Sequence, residues 1–183
     1  GFIYDSNGID TARLEWLMDL KNVRRGRIKE YADHFKCQYF DGEKPWMIPC
    51  DVALPCAIQN ELDGDDAKTL MNNGCMLVAE GANMPCTPEA IEFFQENGVM
   101  YAPGKASNAG GVAVSGLEMS QNSIRMAWTR DEVENRLRSI MQSIHEQCQF
   151  YGQAEDKNID YVKGANIAGF VKVADAMLAE GHV

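Results

Sequence analysis

Several patterns that would assign a class of protein at once are missing from this 183-residue sequence. No stretch approaches the roughly 18 consecutive apolar residues of a membrane-spanning helix. Basic residues are outnumbered, 17 against 27 acidic residues, and the net charge of −10 disfavours nucleic acid and anionic membrane as partners. The first residues include neither an initiator Met nor a signal-peptide pattern, so we expect the sequence to begin inside a domain.

The spacings typical of metal sites and disulfide frameworks are missing as well. None of the six cysteines forms a Cys-x-x-Cys pair, and the three histidines do not lie near them at ligand spacing. Cys50, Cys56 and Cys75 fall in short apolar runs, where a reduced thiol behaves as a small core side chain. We therefore expect no metal site, and reduced cysteines in a cytoplasmic protein.

The glycine-rich turn of a dinucleotide-binding fold is also missing. No two of the 16 glycines are separated by a single residue, as the Gly-x-Gly-x-x-Gly pattern requires. A phosphate-binding P-loop at 103–106 is disfavoured because Ala106 stands where Ser or Thr would bind magnesium. Either the fold binds no dinucleotide, or its first strand precedes residue 1.

What the sequence does contain, from about residue 47 onward, is an alternation of short apolar runs with helical segments. The runs at 47–54, 75–79 and 99–102 are predicted strands. Helices are predicted between them, over 63–73 and 88–97, because each ends in Asn-Gly and the second has Thr87 as its cap. This order predicts an α/β fold with a parallel, Rossmann-like sheet that lacks its first strand.

The flanking segments complete the prediction. Residues 2–4 and 37–40 are predicted strands, with a helix over 11–21 and a basic cluster, 21–27, beside its end. Two helices follow at the C-terminal side, the first with a Thr129–Glu132 capping box and the second after a polar link at 155–158. Their predicted apolar faces are Val133, Leu137, Ile140, Ile144 and Cys148, then Ile167, Phe170, Val171, Ala174, Met177 and Leu178. We divide the sequence into a partial Rossmann-like domain, 1–128, and C-terminal helices, 129–183.

Small and amide-bearing residues follow all three predicted strands, at 55–60, 80–83 and 104–116. Ligands of doubly wound sheets bind beyond the carboxyl ends of the strands, and the amides of Asn83 and Asn108 both donate and accept hydrogen bonds. Small residues there allow a flat ligand to approach closely. Each segment is equally typical of an ordinary turn, so both interpretations stay open at this point.

Longer motifs resemble the glutamate dehydrogenases of the small-subunit hexameric type. They are EGANMP at 80–85, APGKASNAGGV at 102–112, SGLEMSQN at 115–122, YVKGANIAGF at 161–170 and VADAML at 173–178. The resemblance covers nearly the whole chain and implies the C-terminal, cofactor-handling part of the enzyme. It implies reversible oxidative deamination of L-glutamate to 2-oxoglutarate and ammonia, with hydride passing to NADP or, alternatively, NAD, in a homohexamer.

The resemblance also implies roles for five residues. Asn83 and Asn108 are expected near the nicotinamide and its ribose, and Ala57 along the adenosine side. Ser115 is expected to reach the side-chain carboxylate of glutamate, and Val112 to pack against its methylenes. The alternative for Ser115 is that it caps a helix that begins near Gly116.

No residue of this chain is expected to be catalytic. By the resemblance, the catalytic lysine and the acid–base aspartate precede residue 1, so the chain alone is expected to be inactive. Lys105 lies inside the cofactor loop rather than opposite it, and we do not assign it as a catalyst.

Two alternatives remain. One is a related branched-chain or aromatic amino-acid dehydrogenase, which Ser115 disfavours because an apolar substrate side chain needs no donor. The other is a non-catalytic, stand-alone α/β module.

Overall fold

The computed structural model describes residues 1–153 and 159–181, in two compact units, Gly1–Ile48 and Pro49–Val183. The predicted polar link at 155–158 and His182 lie outside the described residues. The boundary between the units falls at a different place from the predicted division after residue 128. That division separates a cofactor domain from its following helices, and it stays a prediction.

In the first unit, β1 (Phe2–Tyr4) pairs antiparallel with β2 (Gln38–Phe40), so both predicted strands are confirmed. The rings of Phe2 and Phe40 stack with their centroids 4.6 Å apart. Helix α2 (Ile28–Phe35) packs against this pair, and α1 (Thr11–Met18) packs on α2, with Trp16 against the rings of Tyr31 and Phe35. The predicted helix over 11–21 is confirmed, although its last turn continues as a π-helix, Asp19–Val23.

Polar contacts fix the helices of the first unit. Asp5 pairs with Arg13 of α1 and accepts a 3.1 Å hydrogen bond from the Tyr31 hydroxyl of α2. Arg24, in the basic cluster, lies 4.4 Å above the Trp16 ring and 2.8 Å from Asp19. This part of the cluster therefore packs on the end of its own helix.

The second unit contains a parallel sheet in the order β3 (Val52–Ala53), β4 (Leu77–Ala79), β5 (Met100–Ala102). The connecting helices are α3 (Gly64–Asn72) and α4 (Pro88–Glu96), so the predicted α/β class is confirmed. The predicted first strand over 47–54 was too long. Residues Pro45–Met47 form a 3-10 helical turn, and the prolines at 49 and 55, which lack an N–H, leave only a short segment to pair.

Local sequence explains the ends of α3 and α4. The Asp63 carboxylate accepts hydrogen bonds from the backbone N–H of Asp65 and Asp66, and Thr87 accepts one from Ala90. Gly74 and Gly98 then adopt positive φ angles of 89° and 72°, which glycine takes without strain. The core between helices and sheet is fully buried at Ala67, Leu70, Val78, Ala90 and Phe94.

In the described part of the chain, the sheet is followed by the helices α5 (Gly104–Ser107), α6 (Ala109–Ile124), α7 (Arg130–Gly152) and α8 (Tyr161–Glu180). The predicted capping box is confirmed, since Thr129 and Glu132 bond reciprocally at the start of α7. The segment 104–116 is helical except at Asn108, rather than a loop or turn. Its glycines and other small residues gave no periodic signal of a helix.

The α7–α8 crossing joins two helices at backbone contact. A side chain in place of Gly164 would collide with the backbone carbonyl of Cys148, and one in place of Gly152 with the carbonyl of Asp160. Of the predicted apolar faces, Cys148 is buried, but Phe170, Met177 and Leu178 are more than half exposed. On α7 the other predicted face residues are half-buried, whereas half of the predicted α8 face is exposed, so helical periodicity overestimated what covers α8 within this chain.

Two other features bear on the sequence predictions. Cys75 is buried, Cys50 is half-buried and Cys56 is exposed, so the predicted core role is wrong for Cys56, which lies past the end of β3. No helix in the described part of the chain combines the length and the apolar character that crossing a bilayer demands.

Candidate functional site

The chain segments that leave β3, β4 and β5 at their carboxyl ends are tied to one another. We call this region, residues 54–60, 80–87 and 103–108, the carboxyl edge. The carbonyl of Pro55 accepts hydrogen bonds from the N–H groups of Gly81 (2.9 Å) and Ala82 (3.1 Å). The N–H of Asn60 donates to the carbonyl of Met84 at 3.0 Å. The three segments therefore form one structured surface.

The carboxyl edge brings Asn83 and Asn108 together. The Asn108 Nδ2 donates to the Ala82 carbonyl at 2.9 Å and to Asn83 Oδ1 at 3.0 Å. These two bonds fix the orientation of the side-chain amides of Asn83 and Asn108, because each acceptor oxygen must face a donor. Both N–H groups of Asn108 are thereby used, and its Oδ1 is left to accept while the Asn83 Nδ2 is left to donate.

Glu80 lies beneath this pair with only 4 % of its surface exposed. Its Oε2 accepts from the Gly104 N–H at 2.6 Å, and its Oε1 from the Cys86 N–H at 3.2 Å. The Tyr101 hydroxyl and the Cys86 thiol also face this carboxylate and interact with it. Burial, and then the adjacent carboxylate, raise the pKa of both the Cys86 thiol and the Tyr101 hydroxyl, so both are donors at neutral pH.

Sequence analysis missed this network. A charged residue directly after the apolar run Leu77-Val78-Ala79 was the available signal, because a carboxylate at the end of a buried strand must find partners. Nothing in the sequence indicated that Cys86, Tyr101 and Gly104 would supply them.

Two further side chains stabilise the start of α5 and its neighbours. Ser107 Oγ lies 2.6 Å from the carbonyl oxygen of Glu80. Lys105 Nζ donates to Asn166 Oδ1 of α8 at 2.6 Å. The Lys105 side chain is therefore hydrogen-bonded to α8.

A cavity of about 750 Å³ opens beside the asparagine pair. Asn83, Asn108 and Glu80 are among the residues that line it. Met84, Ile91 of α4 and Val162 of α8 contribute apolar surface. A volume of this size with few polar groups is typical of small-molecule and cofactor sites.

The other three predicted site residues lie outside the wall of this cavity, all within the described part of the chain. Ala57 is exposed on the segment after β3, where its N–H donates to Glu61 Oε1 at 2.8 Å. Val112, 73 % exposed, and Ser115 are spaced i and i+3 on α6 and so lie on one helix face. The structure thus joins Asn83 with Asn108, and Val112 with Ser115, as two separate pairs.

Ser115 does not begin a helix, contrary to the possibility that it caps one near Gly116. Helix α6 begins at Ala109, and Ser115 Oγ donates to the Gly111 carbonyl one turn earlier, at 3.3 Å. The hydroxyl is exposed and lies in the middle of the helix. Its alternative role as a cap is therefore excluded.

Comparison with known proteins gives this arrangement its context. The sequence profile of the glutamate/leucine/phenylalanine/valine dehydrogenases matches residues 1–181. The chain belongs to this dehydrogenase family.

Individual relatives of the dehydrogenase family are similar along the whole chain. A glutamate dehydrogenase of Bacteroides thetaiotaomicron is 58% identical over 100% of the chain, and an NADP-specific glutamate dehydrogenase of Haemophilus influenzae is 57% identical over 99%. The crystal structure of Plasmodium falciparum glutamate dehydrogenase superposes with a TM-score of 0.94 at 50% identity and covers 100% of the chain. These matches occupy 41%, 40% and 40% of the respective relatives, so the chain spans about two fifths of their length.

The names of the relatives in this dehydrogenase family do not agree on a cofactor. They include NADP-specific, NAD-specific and NAD(P)-specific glutamate dehydrogenases. The nicotinamide cofactor is common to all of these names. Among the described residues of the chain, no group of three or more His, Cys, Asp or Glu side chains is placed to hold a metal ion.

Proposed function

We propose that this chain supplies the cofactor-binding part, and one wall of the substrate site, of a cytoplasmic glutamate dehydrogenase that is assembled as a homohexamer. The reaction is the reversible oxidative deamination of L-glutamate to 2-oxoglutarate and ammonia, with hydride transfer to NADP. The observation that carries the proposal is the bonded pair of Asn83 and Asn108 beside a cavity at the carboxyl edge.

The asparagine pair fits the polar end of a nicotinamide nucleotide. The nicotinamide carboxamide and the ribose hydroxyls each carry donors and acceptors, and the pair offers one donor, Asn83 Nδ2, and one acceptor, Asn108 Oδ1. A cofactor held there would supply hydride chemistry, and the chain's own groups orient its reacting ring. Ala57, beyond β3, is proposed to line the adenosine side.

The substrate side of the proposal rests on α6. Ser115 and Val112 share an exposed face of this helix, with a hydroxyl donor next to an apolar side chain. That combination suits the carboxylate and the methylenes of glutamate. The proton-transfer groups of the reaction are proposed to come from the part of the enzyme that this chain does not span.

The choice of NADP over NAD is the finer part of the proposal. The motifs of the chain resemble those of NADP-linked biosynthetic enzymes, which favours NADP. Specificity depends on charge near the ribose 2′ position, at the end of the second strand of a complete Rossmann-type sheet. The ratio of catalytic efficiencies with NADP and with NAD tests this choice directly.

The central experiment replaces Asn108 with Ala in the full-length enzyme. The substitution removes two hydrogen bonds and the acceptor, so we expect the KM for the cofactor to rise roughly 10-fold or more. Steady-state kinetics with varied cofactor at saturating glutamate measure it. Asn135→Ala, an exposed asparagine on α7, is the matched control and should leave the cofactor KM unchanged. An unchanged cofactor KM in Asn108→Ala would remove the basis of the proposal.

A further inference from the structure

Glu80 is a buried carboxylate to which the proposed function assigns no role. Burying an ionised carboxylate is costly unless hydrogen bonds replace its water. Here the replacements come from two different chain segments. The Cys86 N–H belongs to the segment that follows β4, and the Gly104 N–H belongs to the segment that follows β5.

Each of these segments also carries one member of the asparagine pair. Asn83 lies between Glu80 and Cys86, so the Cys86 bond closes the loop that contains it. Asn108 follows the single helical turn that begins at Gly104, and its own N–H donates to the Gly104 carbonyl at 2.9 Å. One carboxylate therefore connects the segments on both sides of the Asn83–Asn108 bond.

The contact between Glu80 and the Gly104 N–H favours a carboxylate at position 80 and a glycine at position 104. In the described part of the chain, the groups that face the Glu80 side chain are donors, so a glutamine amide would direct its NH₂ at one of them. A side chain at position 104 would lie 3.0 Å from Glu80 Oε2, 3.2 Å from the Ala82 carbonyl and 3.3 Å from Asn108 Nδ2. These distances leave little room even for a methyl group.

We infer that Glu80 is a positioning residue that holds Asn83 and Asn108 at bonding distance and thereby sets the affinity for the nicotinamide end of the cofactor. The inference rests on the proposed function. Glu80 acts through the asparagines and does not itself touch the reacting atoms.

The test is Glu80→Gln in the full-length enzyme. We expect the affinity for the cofactor to fall, and the cofactor KM to rise, roughly 10- to 100-fold, because hydrogen bonds to a charged acceptor are lost. The KM for glutamate should stay within about twofold, since the substrate contacts on α6 are separate. Titration of NADPH, followed by the fluorescence of its reduced nicotinamide, measures affinity independently of turnover. Glu96→Gln, an exposed carboxylate at the end of α4, is the matched control.

Two more variants decide the inference if Glu80→Gln does not fold. Tyr101→Phe removes one donor and keeps the carboxylate, and Gly104→Ala crowds the contact without changing any charge. Weakened NADPH binding in both supports the positioning role, and unchanged binding overturns it. A lower melting temperature with normal NADPH affinity in Glu80→Gln also overturns it, because that result describes a merely structural residue. If Asn108→Ala binds NADPH normally, the proposed function itself fails, which is a separate outcome.

Discussion

The α7–α8 crossing and the carboxyl edge both bring backbone segments into close contact, by different means. At the crossing, Gly164 and Gly152 lie against backbone carbonyls, and contact depends on the missing side chains. At the carboxyl edge, the segments are joined by hydrogen bonds that converge on Glu80. Close approach of small residues dominates the first region, where the Asp160 N–H also donates to the Gly152 carbonyl at 2.9 Å, so mutations there should change stability. Hydrogen bonds fix the carboxyl edge, and a bound cofactor would also be held there by hydrogen bonds. Mutations in this region should therefore change cofactor binding.

The largest expected effect tests the crossing. Gly164→Ala places a methyl group against the Cys148 carbonyl, and backbone atoms cannot turn aside as a side chain does. We expect the free energy of unfolding to fall by about 3 kcal/mol or more, measured by urea denaturation. Gly169→Ala, on the same helix with open space around it, is the control. It should be neutral or stabilising by up to about 1 kcal/mol. A Gly164→Ala protein as stable as the control would show that α8 shifts at little cost.

The next effect concerns α6, which leads from the carboxyl edge to α7. Ser115→Ala in the complete enzyme removes a proposed donor to a charged carboxylate, so catalytic efficiency for glutamate should fall roughly 10- to 150-fold. Most of the loss should appear in the KM for glutamate, and the preference for glutamate over norvaline should fall with it. An apolar-substrate dehydrogenase would show no such loss of preference.

The chain offers a close control for this experiment. Ser120 is exposed on the same helix, and its hydroxyl donates to the Gly116 carbonyl at 2.9 Å, as that of Ser115 donates to Gly111. Ser120→Ala thus removes the same intrahelical bond without the proposed substrate contact. Equal losses in both variants would attribute the effect to the helix.

The smallest effect tests the polar network by pH. The Cys86 thiol has a pKa raised above its usual 9.0, so the folded protein keeps this proton when the unfolded chain has released it. The stability that Cys86 contributes is therefore complete below pH 9 and declines as pH rises above it. The decline is about 1.4 kcal/mol for each pH unit.

Urea denaturation of the wild type and of Cys86→Ala measures this contribution. The difference in unfolding free energy between them should be constant below pH 8 and shrink from pH 9 upward. A difference that does not vary between pH 8 and pH 10.5 would mean that the thiol ionises equally in both states.

These regions also show what the sequence could and could not reveal. Strands and helices of the α/β unit were predictable because apolar runs and Asn-Gly stops are local signals. Asn83 and Asn108 could be placed at one edge because parallel strands end together. The short β3 was overestimated because a proline-bounded apolar run resembles a strand whether or not it pairs.

Other features depend on partners distant in sequence. Neither the four donors around Glu80 nor the collision that Gly164 avoids has a pattern of its own, since each needs two segments to be folded first. The helical character of 109–124 was hidden by glycines and small residues, which have low intrinsic helix propensity or little periodic contrast. Packing of α6 on α7, where Gly110 faces Leu137 and Met141, replaces that missing local signal.

The helical hairpin of α7 and α8 also has a kinetic consequence. The residues in contact across the hairpin, Cys148 with Gly164 and Gly152 with Asp160, are close along the chain. Closing the loop between them therefore costs little conformational entropy. Each pair of parallel strands is separated by a whole helix, and such non-local pairing is slow. The order of synthesis is opposite to the order of folding speed, because β3, β4 and β5 leave the ribosome before α7 and α8. The slowly pairing strands are therefore synthesised first, and they are available for pairing before the fast-forming hairpin of α7 and α8 is complete.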